Sequence, residues 1–246
     1  MKKGNIAITV NDLHIYYRDM KRFSIKKSGL KDKGTGRIFK AVKGVSFEVP
    51  RGQILGICGK NGSGKSTLLR AISGIFSPDK GSIDLHGNSV SLLSIGVGFQ
   101  KKLTGYENII LSGLLLGFTE EEILEKAPAI IEFSELGDAI YKPVNSYSSG
   151  MYSKLAFSIT AILETDIMLI DEVLSVGDVH FMEKSYNKMK ELISDSDRTV
   201  IIVSHSTKTL TELCDKVLWL HEGLIKKIGN PDEIMEEYEE FMRESL

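Results

Sequence analysis

Residues 59–67 constrain the fold of this chain more than any other segment. Their sequence, GKNGSGKST, fits the phosphate-binding pattern G-x-x-x-x-G-K-[S/T]. The apolar run Ile54–Cys58 predicts a strand before it, and residues 68–72 predict a helix after it. The glycines let several backbone N–H groups point at one anion, and the helix adds its positive end. The segment therefore predicts an α/β fold that binds a nucleoside triphosphate.

Individual residues of this phosphate loop suit the parts of a bound triphosphate. Lys65 can reach the β- and γ-phosphates, and the Ser66 hydroxyl can hold Mg²⁺. The nucleotide-binding residues predicted here are Gly59, Lys60, Asn61, Gly62, Ser63, Gly64, Lys65, Ser66 and Thr67.

Length, charge and cysteine content limit the remaining possibilities. The 246 residues suffice for one sizeable α/β domain or two closely packed lobes. A net charge of −2 gives no global field that favours nucleic acid, so no nucleic-acid partner is expected. Cys58 and Cys214 lie in apolar patterns typical of buried thiols, which suits a reducing compartment. The most apolar later run, residues 109–116, is far shorter than the ~20 residues that span a bilayer. We expect a soluble chain that needs a partner for any membrane span.

The N-terminal part predicts β-structure that carries a basic insertion. Residues 45–49 alternate cleanly between apolar and polar side chains, and residues 6–10 alternate weakly. Between them, residues 18–37 hold eight Lys or Arg against two Asp. A solvated loop is the ordinary interpretation of such a run, and contact with anionic headgroups or a phosphate-bearing substrate is the sharper one.

Helix and strand patterns alternate along the rest of the chain. Residues 99–150 read as mostly helical, with Thr119 and Glu122 as a capping box. Two helix faces are predicted, one from Ile123, Leu124, Ala127, Ile130 and Ile131, the other from Leu155, Ala156, Ile159, Ile162 and Leu163. Residues 167–170 and 199–203 are short apolar runs typical of buried parallel strands. A last helix is predicted after Asn230. This order indicates a parallel sheet with helices on its faces.

Polar residues follow the two predicted inner strands, at the sheet edge where the phosphate loop also lies. Asp171 can hold Mg²⁺ through water as the acidic partner of Ser66. Glu172 can orient and polarise the attacking water as general base. His205 can hydrogen-bond the γ-phosphate or that water. The predicted catalytic residues are Lys65, Glu172 and His205.

A second helix start carries small residues in the sequence YSSGM, residues 147–151. Such residues at a helix N-terminus form an anion site, although an N-cap without a ligand is the alternative. One chain does not need two γ-phosphate sites for one nucleotide, whereas two chains packed head to tail would use both. We therefore predict that Ser148, Ser149 and Gly150 contact the nucleotide of a second copy. Tyr17 or Tyr16 can stack on the base, with core packing as the alternative.

The order of these motifs resembles the ATPase subunit of an ABC transporter over essentially the whole chain. The resemblance identifies the phosphate loop as Walker A, the Asp171–Glu172 pair as Walker B and His205 as the switch histidine. It implies ATP and Mg²⁺ as cofactors, Tyr17 as the adenine-stacking aromatic, Asp178 as a nucleotide contact in the D-loop (residues 175–178), and Gln100 as the candidate Q-loop glutamine and metal ligand.

The resemblance also implies a domain plan. It predicts a phosphate-loop NTPase with a RecA-like lobe built on a parallel sheet, an N-terminal antiparallel β part and an inserted helical lobe. A single ABC ATPase domain would span residues 1–246. The RecA-like lobe with its β part would comprise residues 1–98 and 154–246, and the helical signature lobe residues 99–153.

Details of the motifs resemble the ATPases that export cell-surface polysaccharides, teichoic-acid exporters first and O-antigen exporters next. Where the family signature is LSGGQ, this chain has Tyr147, Ser149 and Met151 at the first, third and fifth positions. Ser149 keeps a backbone N–H for phosphate, but the Gln side chain is absent. The resemblance implies a peripheral subunit at the cytoplasmic face of the cell membrane. It would work as a head-to-tail homodimer on a polytopic permease that moves a lipid-linked polymer.

Other functional classes fit parts of this pattern. A soluble ABC ATPase without a transport role would use the same chemistry. A phosphate-loop kinase or GTPase would not need the signature at residues 147–151 or His205. A nucleotide-gated binding subunit with little turnover would share every motif, and measured hydrolysis would separate it from an ATPase.

Overall fold

The computed structural model describes residues 5–18, 38–93, 98–171, 178–194 and 198–244. The basic insertion, apart from the backbone of Arg18, lies outside the described residues, and so do Glu172 and residues 175–177.

The strands and helices predicted from the sequence occur in their predicted order, and the described chain has further elements between them. Its strands are β1 (Ile6–Arg18), β2 (Ile38–Pro50), β3 (Ile54–Cys58), β4 (Lys80–Asp84), β5 (Val90–Leu92), β6 (Ile167–Asp171), β7 (Thr199–Val203), β8 (Lys216–His221) and β9 (Leu224–Gly229). Its α-helices are α1 (Lys65–Ile72), α2 (Gly105–Leu115), α3 (Glu120–Ser134), α4 (Ser149–Ile162), α5 (Val179–Ile193), α6 (Thr207–Leu213) and α7 (Pro231–Glu244).

Two sheets carry these elements. An antiparallel sheet has the order β2-β1-β4, and a six-stranded sheet has the order β5-β6-β7-β3-β8-β9. In the larger sheet β3 pairs in parallel with β7 and β8, β6 pairs in parallel with β5 and β7, and β9 is antiparallel to β8. The prediction of an α/β fold with a parallel sheet and an N-terminal antiparallel part is confirmed. The carboxyl ends of β3, β6 and β7 therefore meet at one edge.

Apolar side chains form three clusters, and the second and third meet at α4. The first cluster lies between the two sheets and α1, and the second lies on the other face of the large sheet under α5 and α7. The third belongs to α2, α3 and α4. In α4, Phe157 and Ala161 enter the second cluster, whereas Leu155 and Ile159 enter the third. The predicted lobe boundary at residues 153/154 thus falls inside a helix that both lobes share.

Local signals explain where the helices begin. Thr119 and Glu122 form the predicted capping box of α3, and Thr104 and Glu107 form a second one at α2. Asn230 Oδ1 accepts a hydrogen bond from the Asp232 N–H at 2.9 Å, which confirms the predicted start of α7.

Two predictions about burial have different outcomes. The inclusion of Leu124 in the buried face of α3 was wrong, because its side chain is 45% exposed. The helix presents Ile123, Ala127 and Ile130 to the core, and Leu124 lies off that narrower stripe. Cys58 and Cys214 are buried as predicted, and burial raises the pKa of each thiol to about 12. Over the described ranges, none of the helices combines the length and apolarity needed to cross a bilayer.

Candidate nucleotide-binding site

The glycines of the phosphate loop occupy backbone conformations and spaces that exclude a side chain. Gly59 and Gly64 have φ values of 147° and 108°. A Cβ at Gly59 would lie 2.1 Å from the Leu220 carbonyl oxygen, and one at Gly64 would lie 2.5 Å from the Ala41 carbonyl oxygen. The loop keeps its curl because only glycine fits at these two positions.

A cavity of about 370 Å³ opens beside this loop. It brings together the loop, the end of β6 and the residue that follows β7 by two positions. Its lining comprises Phe39, Ala41, Asn61, Gly62, Gly64, Lys65, Ser66, Thr67, Asp171, Val203 and His205. Parallel strand order therefore gathers the phosphate loop, Asp171 and His205 at one edge, while their chemical roles remain predictions.

Lys65 is buried with its ammonium turned onto the loop itself. Only 6% of the residue is exposed. Its Nζ donates hydrogen bonds to the carbonyl oxygens of Gly59 at 2.7 Å and Lys60 at 3.1 Å. A buried charge requires such partners, and a phosphate oxygen would be a stronger, charge-assisted one. Beside it, the buried Ser63 hydroxyl has no hydrogen-bond partner within the described parts of the chain. Both groups suit an anion held by the loop.

The first turn of α1 adds to the same anion site. Its N-cap is Gly64, which offers no side chain to cap the helix. The helix end therefore presents backbone N–H groups and a partial positive charge without a competing side chain.

Ser66 and Asp171 fit a magnesium ion. Ser66 Oγ donates to Asp171 Oδ1 across 3.5 Å, the long limit of a hydrogen bond. Magnesium at phosphate sites uses one or two carboxylates together with substrate phosphates and water. One hydroxyl and one carboxylate are thus a sufficient protein contribution.

Two aromatic residues stand near the mouth of the cavity. Phe39 lines it and is 59% exposed, and Tyr17 is its partner in the β1–β2 ladder. The Tyr17 hydroxyl lies 3.1 Å from Thr67 Oγ1, and its ring meets Phe76 edge-on. Tyr16 lies apart from both, with its hydroxyl 3.1 Å from His14 Nδ1. The sequence interpretation missed Phe39, because only the strand pairing brings it beside Tyr17.

The signature segment, residues 147–151, lies at a different cavity. Ser148 is the N-cap of α4, and its Oγ accepts a hydrogen bond from the Met151 N–H at 3.2 Å. A separate cavity of about 630 Å³ lies here, lined by Lys101, Val144, Asn145, Tyr147, Ser148, Ser149, Tyr152 and Ser153. It shares no lining residue with the phosphate-loop cavity. Within one subunit, the two predicted anion sites are therefore separate.

Two other predicted residues do not line the phosphate-loop cavity. Asp178 is the N-cap of α5 and accepts a hydrogen bond from the Phe181 N–H at 3.0 Å. Gln100 is exposed in the helical lobe, where its N–H donates to Asn108 Oδ1 at 2.7 Å. Any nucleotide or metal contact by either residue stays a prediction.

An ion cluster that sequence reasoning missed ties α4 to α5. Lys154 Nζ lies 2.8 Å from Asp178 Oδ2 and 3.3 Å from Glu135 Oε2, and Lys184 Nζ lies 2.9 Å from Glu135 Oε1. The hydrogen bond from Lys154 lowers the pKa of Asp178 to about 2, and the one from Lys184 lowers the pKa of Glu135. No local sequence pattern predicts this cluster, because its members lie on three different helices and their caps.

A family model and several export ATP-binding proteins match this chain. The family described as ABC transporter matches residues 42–175. The teichoic acids export ATP-binding protein TagH of Bacillus anthracis is 46% identical over 85% of this chain and 38% of its own length. The O-antigen export system ATP-binding protein RfbB of Myxococcus xanthus is 42% identical over 81% of this chain and 46% of its own length. The chain spans less than half the length of these two relatives.

A further relative matches over almost its whole length. TagH of Staphylococcus haemolyticus is 40% identical over 98% of this chain and 89% of its own length. Solved structures share the fold: an ATP-binding subunit of an ABC transporter is 22% identical, with a TM-score of 0.70 over 94% of this chain and 93% of its own. A dimeric ATP-binding cassette bound to ADP and Pi is 20% identical, with a TM-score of 0.67 over 91% of this chain and 98% of its own. The resemblance to polysaccharide-export ATP-binding proteins is thereby confirmed, and the chain belongs to the ABC transporter family.

Proposed function

We propose that this chain is the ATP-hydrolysing subunit of an exporter that moves a cell-surface polysaccharide across the cytoplasmic membrane. The cargo would be teichoic acid or a related lipid-linked polymer. The observation that carries the proposal is the cavity where the phosphate loop, Asp171 and His205 meet. The relatives named as export ATP-binding proteins support the transport role.

The side chains around the cavity have separate tasks in the proposed reaction. Lys65 exchanges its loop carbonyl partners for the β- and γ-phosphate oxygens and compensates their charge. Ser66 and Asp171 would hold Mg²⁺, which would supply Lewis-acid stabilisation of charge on the phosphates. Glu172 takes a proton from the attacking water, and His205 hydrogen-bonds the γ-phosphate.

A second copy of the chain completes the site in this proposal. Ser148, Ser149 and Gly150 at the start of α4 would face the γ-phosphate held by the partner's phosphate loop. The separation of the two cavities within one subunit supports this arrangement, and so does the dimeric cassette that shares the fold. Hydrolysis forms a bond from the water oxygen to the γ-phosphorus and breaks the bond from that phosphorus to the oxygen shared with the β-phosphate. Once inorganic phosphate leaves, the charge that joins the two subunits is gone and the interface loosens.

A polytopic permease is the proposed membrane partner, which would hold the subunit at the cytoplasmic face. An apolar cleft of about 280 Å³ between the helical lobe and the large sheet supports a docking place there. The apolar residues of its wall include Ile75, Val90, Leu92, Phe99, Leu115 and Leu116. Ile75 and Leu115 are 44% and 59% exposed, so the cleft has apolar surface that a partner can bury.

The catalytic part of the proposal is tested with Glu172→Gln. This variant should bind ATP, hydrolyse it very slowly and accumulate as a dimer in light-scattering chromatography with ATP. Glu183→Gln, an exposed change on α5, is the matched control and should behave like the wild type. Wild-type turnover in Glu172→Gln would remove Glu172 from its role. A wild type that binds ATP without hydrolysing it would favour a nucleotide-gated binding subunit.

The transport part needs a test in cells. Purification from membranes should recover a polytopic partner with the chain, and depletion should cause a lipid-linked glycan to accumulate. Depletion without such accumulation would favour an ABC ATPase that has no role in export.

A further inference from the structure

Helix α7 packs directly behind the phosphate loop. Ile234, Met235 and Tyr238 are buried on its inner face. They share an apolar cluster with Trp219 and with Cys58, the residue that precedes the first glycine of the loop. The helix therefore lies one layer away from the nucleotide cavity.

One side chain of α7 reaches the loop itself. Lys60 Nζ lies over the ring of Phe241, 5.0 Å from its centroid, in the geometry of a cation–π contact. The backbone carbonyl of Lys60 also accepts a hydrogen bond from Lys65 Nζ at 3.1 Å. Lys60 thus contacts α7 with its side chain and the phosphate-facing lysine with its backbone.

A second side chain of α7 contacts the start of α6, the helix that follows His205. Glu239 Oε1 accepts a hydrogen bond from Thr207 Oγ1 at 2.6 Å. Thr207 is the first residue of α6 and follows His205 by two positions. Helix α7 therefore contacts both the phosphate loop and the start of α6, two residues after His205.

A reporter of the position of α7 is built into the same place. Trp219 is the only tryptophan of the chain, and its ring centroid lies 5.3 Å from that of Phe241. Lys226 Nζ lies over both rings, 3.9 Å from the Trp219 centroid and 3.8 Å from the Phe241 centroid. Any movement of Phe241 changes the surroundings of this indole.

We propose that α7 is a regulatory arm whose docking is coupled to nucleotide occupancy. Phe241 is a positioning residue that acts through Lys60, and Glu239 acts through Thr207. When Lys65 leaves the Lys60 carbonyl for a phosphate, the loop loses a hydrogen bond at the residue that Phe241 holds. The coupling is reciprocal. If bound nucleotide shifts the docking equilibrium of α7 by some factor, docking of α7 raises the affinity for nucleotide by the same factor. The inference rests on the ATP binding proposed above.

The test measures ATP binding in two independent ways on the full chain. Equilibrium dialysis with radiolabelled ATP gives the dissociation constant, and the emission of Trp219 during an ATP titration reports on α7. In the wild type, the emission change should saturate with the dissociation constant found by dialysis. ATP binding without any emission change would overturn the coupling alone, whereas no binding in dialysis would overturn the proposed function as well.

Variants of Phe241 separate coupling from packing. Phe241→Leu keeps an apolar side chain but removes the ring face. It should weaken ATP binding about two- to five-fold, the range expected when the contact with Lys60, one exposed cation–π contact, is lost, and it should abolish the ATP-dependent emission change. Phe241→Tyr keeps the ring face and should restore the wild-type affinity. An unchanged dissociation constant in Phe241→Leu, with the emission response retained, would overturn the proposal.

Glu239→Ala supplies a second variant that does not depend on the folding of Phe241→Leu. It removes the acceptor for Thr207 and should weaken ATP binding by about two- to five-fold, as expected for one hydrogen bond. Glu240→Ala, an exposed neighbour on the same helix, is the matched control and should leave the dissociation constant unchanged. Equal dissociation constants in Glu239→Ala and Glu240→Ala would contradict the role of Glu239.

Discussion

The two helix starts that face anions in the proposed dimer are built differently. At α1 the N-cap is a glycine without a side chain, and a buried lysine lies in the same cavity. At α4 the N-cap is Ser148, whose hydroxyl accepts a hydrogen bond from the Met151 N–H of its own helix. Both Ser148 and Ser149 are exposed. The α1 site thus has a buried cation within one chain, whereas the polar and charged residues of the α4 site, Ser148, Ser149 and Lys101, are exposed.

This difference indicates how the work is divided between the two sites. A site with a buried cation can hold a nucleotide in a single subunit. An exposed helix start, with the exposed Lys101 as the cation of its cavity, provides only a fraction of that attraction, because solvent screens both charges. It becomes useful when a second subunit delivers a phosphate and excludes water. We therefore expect variants of α1 to reduce binding and variants of α4 to reduce cooperative turnover.

Gly64→Ala tests the α1 site and should have the largest effect. An L-residue in the left-handed region costs about 1–2 kcal/mol, and the new Cβ would also overlap the Ala41 carbonyl oxygen. With a strain of about 2 kcal/mol, ATP affinity in equilibrium dialysis should fall at least about thirty-fold. Gly74→Ala is the control, since Gly74 has a similar positive φ, open space around it and no place in the cavity. Equal ATP affinities in the two variants would contradict a nucleotide-binding site at the start of α1.

Ser148→Ala combined with Gly150→Asp tests the α4 site. An aspartate in the first turn stabilises a helix, so the variant should fold, but its carboxylate repels a phosphate from a second subunit. Cooperative ATP turnover should fall at least about tenfold, a loss of about 1.4 kcal/mol of transition-state stabilisation. The dissociation constant of separate subunits should change far less. Glu125→Gln, an exposed change on α3 that does not line this cavity, is the control. Undiminished cooperative turnover in the double variant would contradict the role of the α4 site.

Phe39→Ala sharpens the description of the α1 site. Stacking of a base on an aromatic ring contributes about 1–3 kcal/mol, so removing the exposed Phe39 ring should weaken ATP binding about tenfold. Tyr17→Phe removes only the hydroxyl near Thr67 and should change affinity by less than about threefold. A larger loss in Tyr17→Ala than in Phe39→Ala would identify Tyr17 as the stacking residue, as the sequence resemblance implies.

The sequence predicted the α1 site far better than the surroundings of α4, for physical reasons. The strand, glycines, lysine and helix of the α1 site are contiguous, and parallel strands bring Asp171 to the same edge. Phe39 depends on the register of β1 with β2, which no local pattern fixes. The contacts of Lys154 join residues far apart in the sequence, so they appear only after the helices have packed.

Acid titration of the α4–α5 junction should produce the smallest effect. The pairing with Lys154 lowers the pKa of Asp178 to about 2 from its ordinary value of 3.8. A lowered pKa means that the pairing stabilises the fold at neutral pH and that this contribution is lost as the pH falls from about 4 through 2. Asp178→Asn keeps a good N-cap for α5 but removes the charge.

The melting temperature of Asp178→Asn at neutral pH should therefore lie below that of the wild type by no more than about 3 °C, because the carboxylate is exposed. The difference should shrink towards zero near pH 2, where the wild-type carboxyl group becomes neutral. Thermal melts followed by circular dichroism at several pH values measure this difference. A difference in melting temperature that does not change with pH would show that the ion pair between Lys154 and Asp178 does not stabilise the fold. Since this junction holds α4 and not α1, ATP affinity of separate subunits should stay constant in Asp178→Asn while cooperative turnover declines.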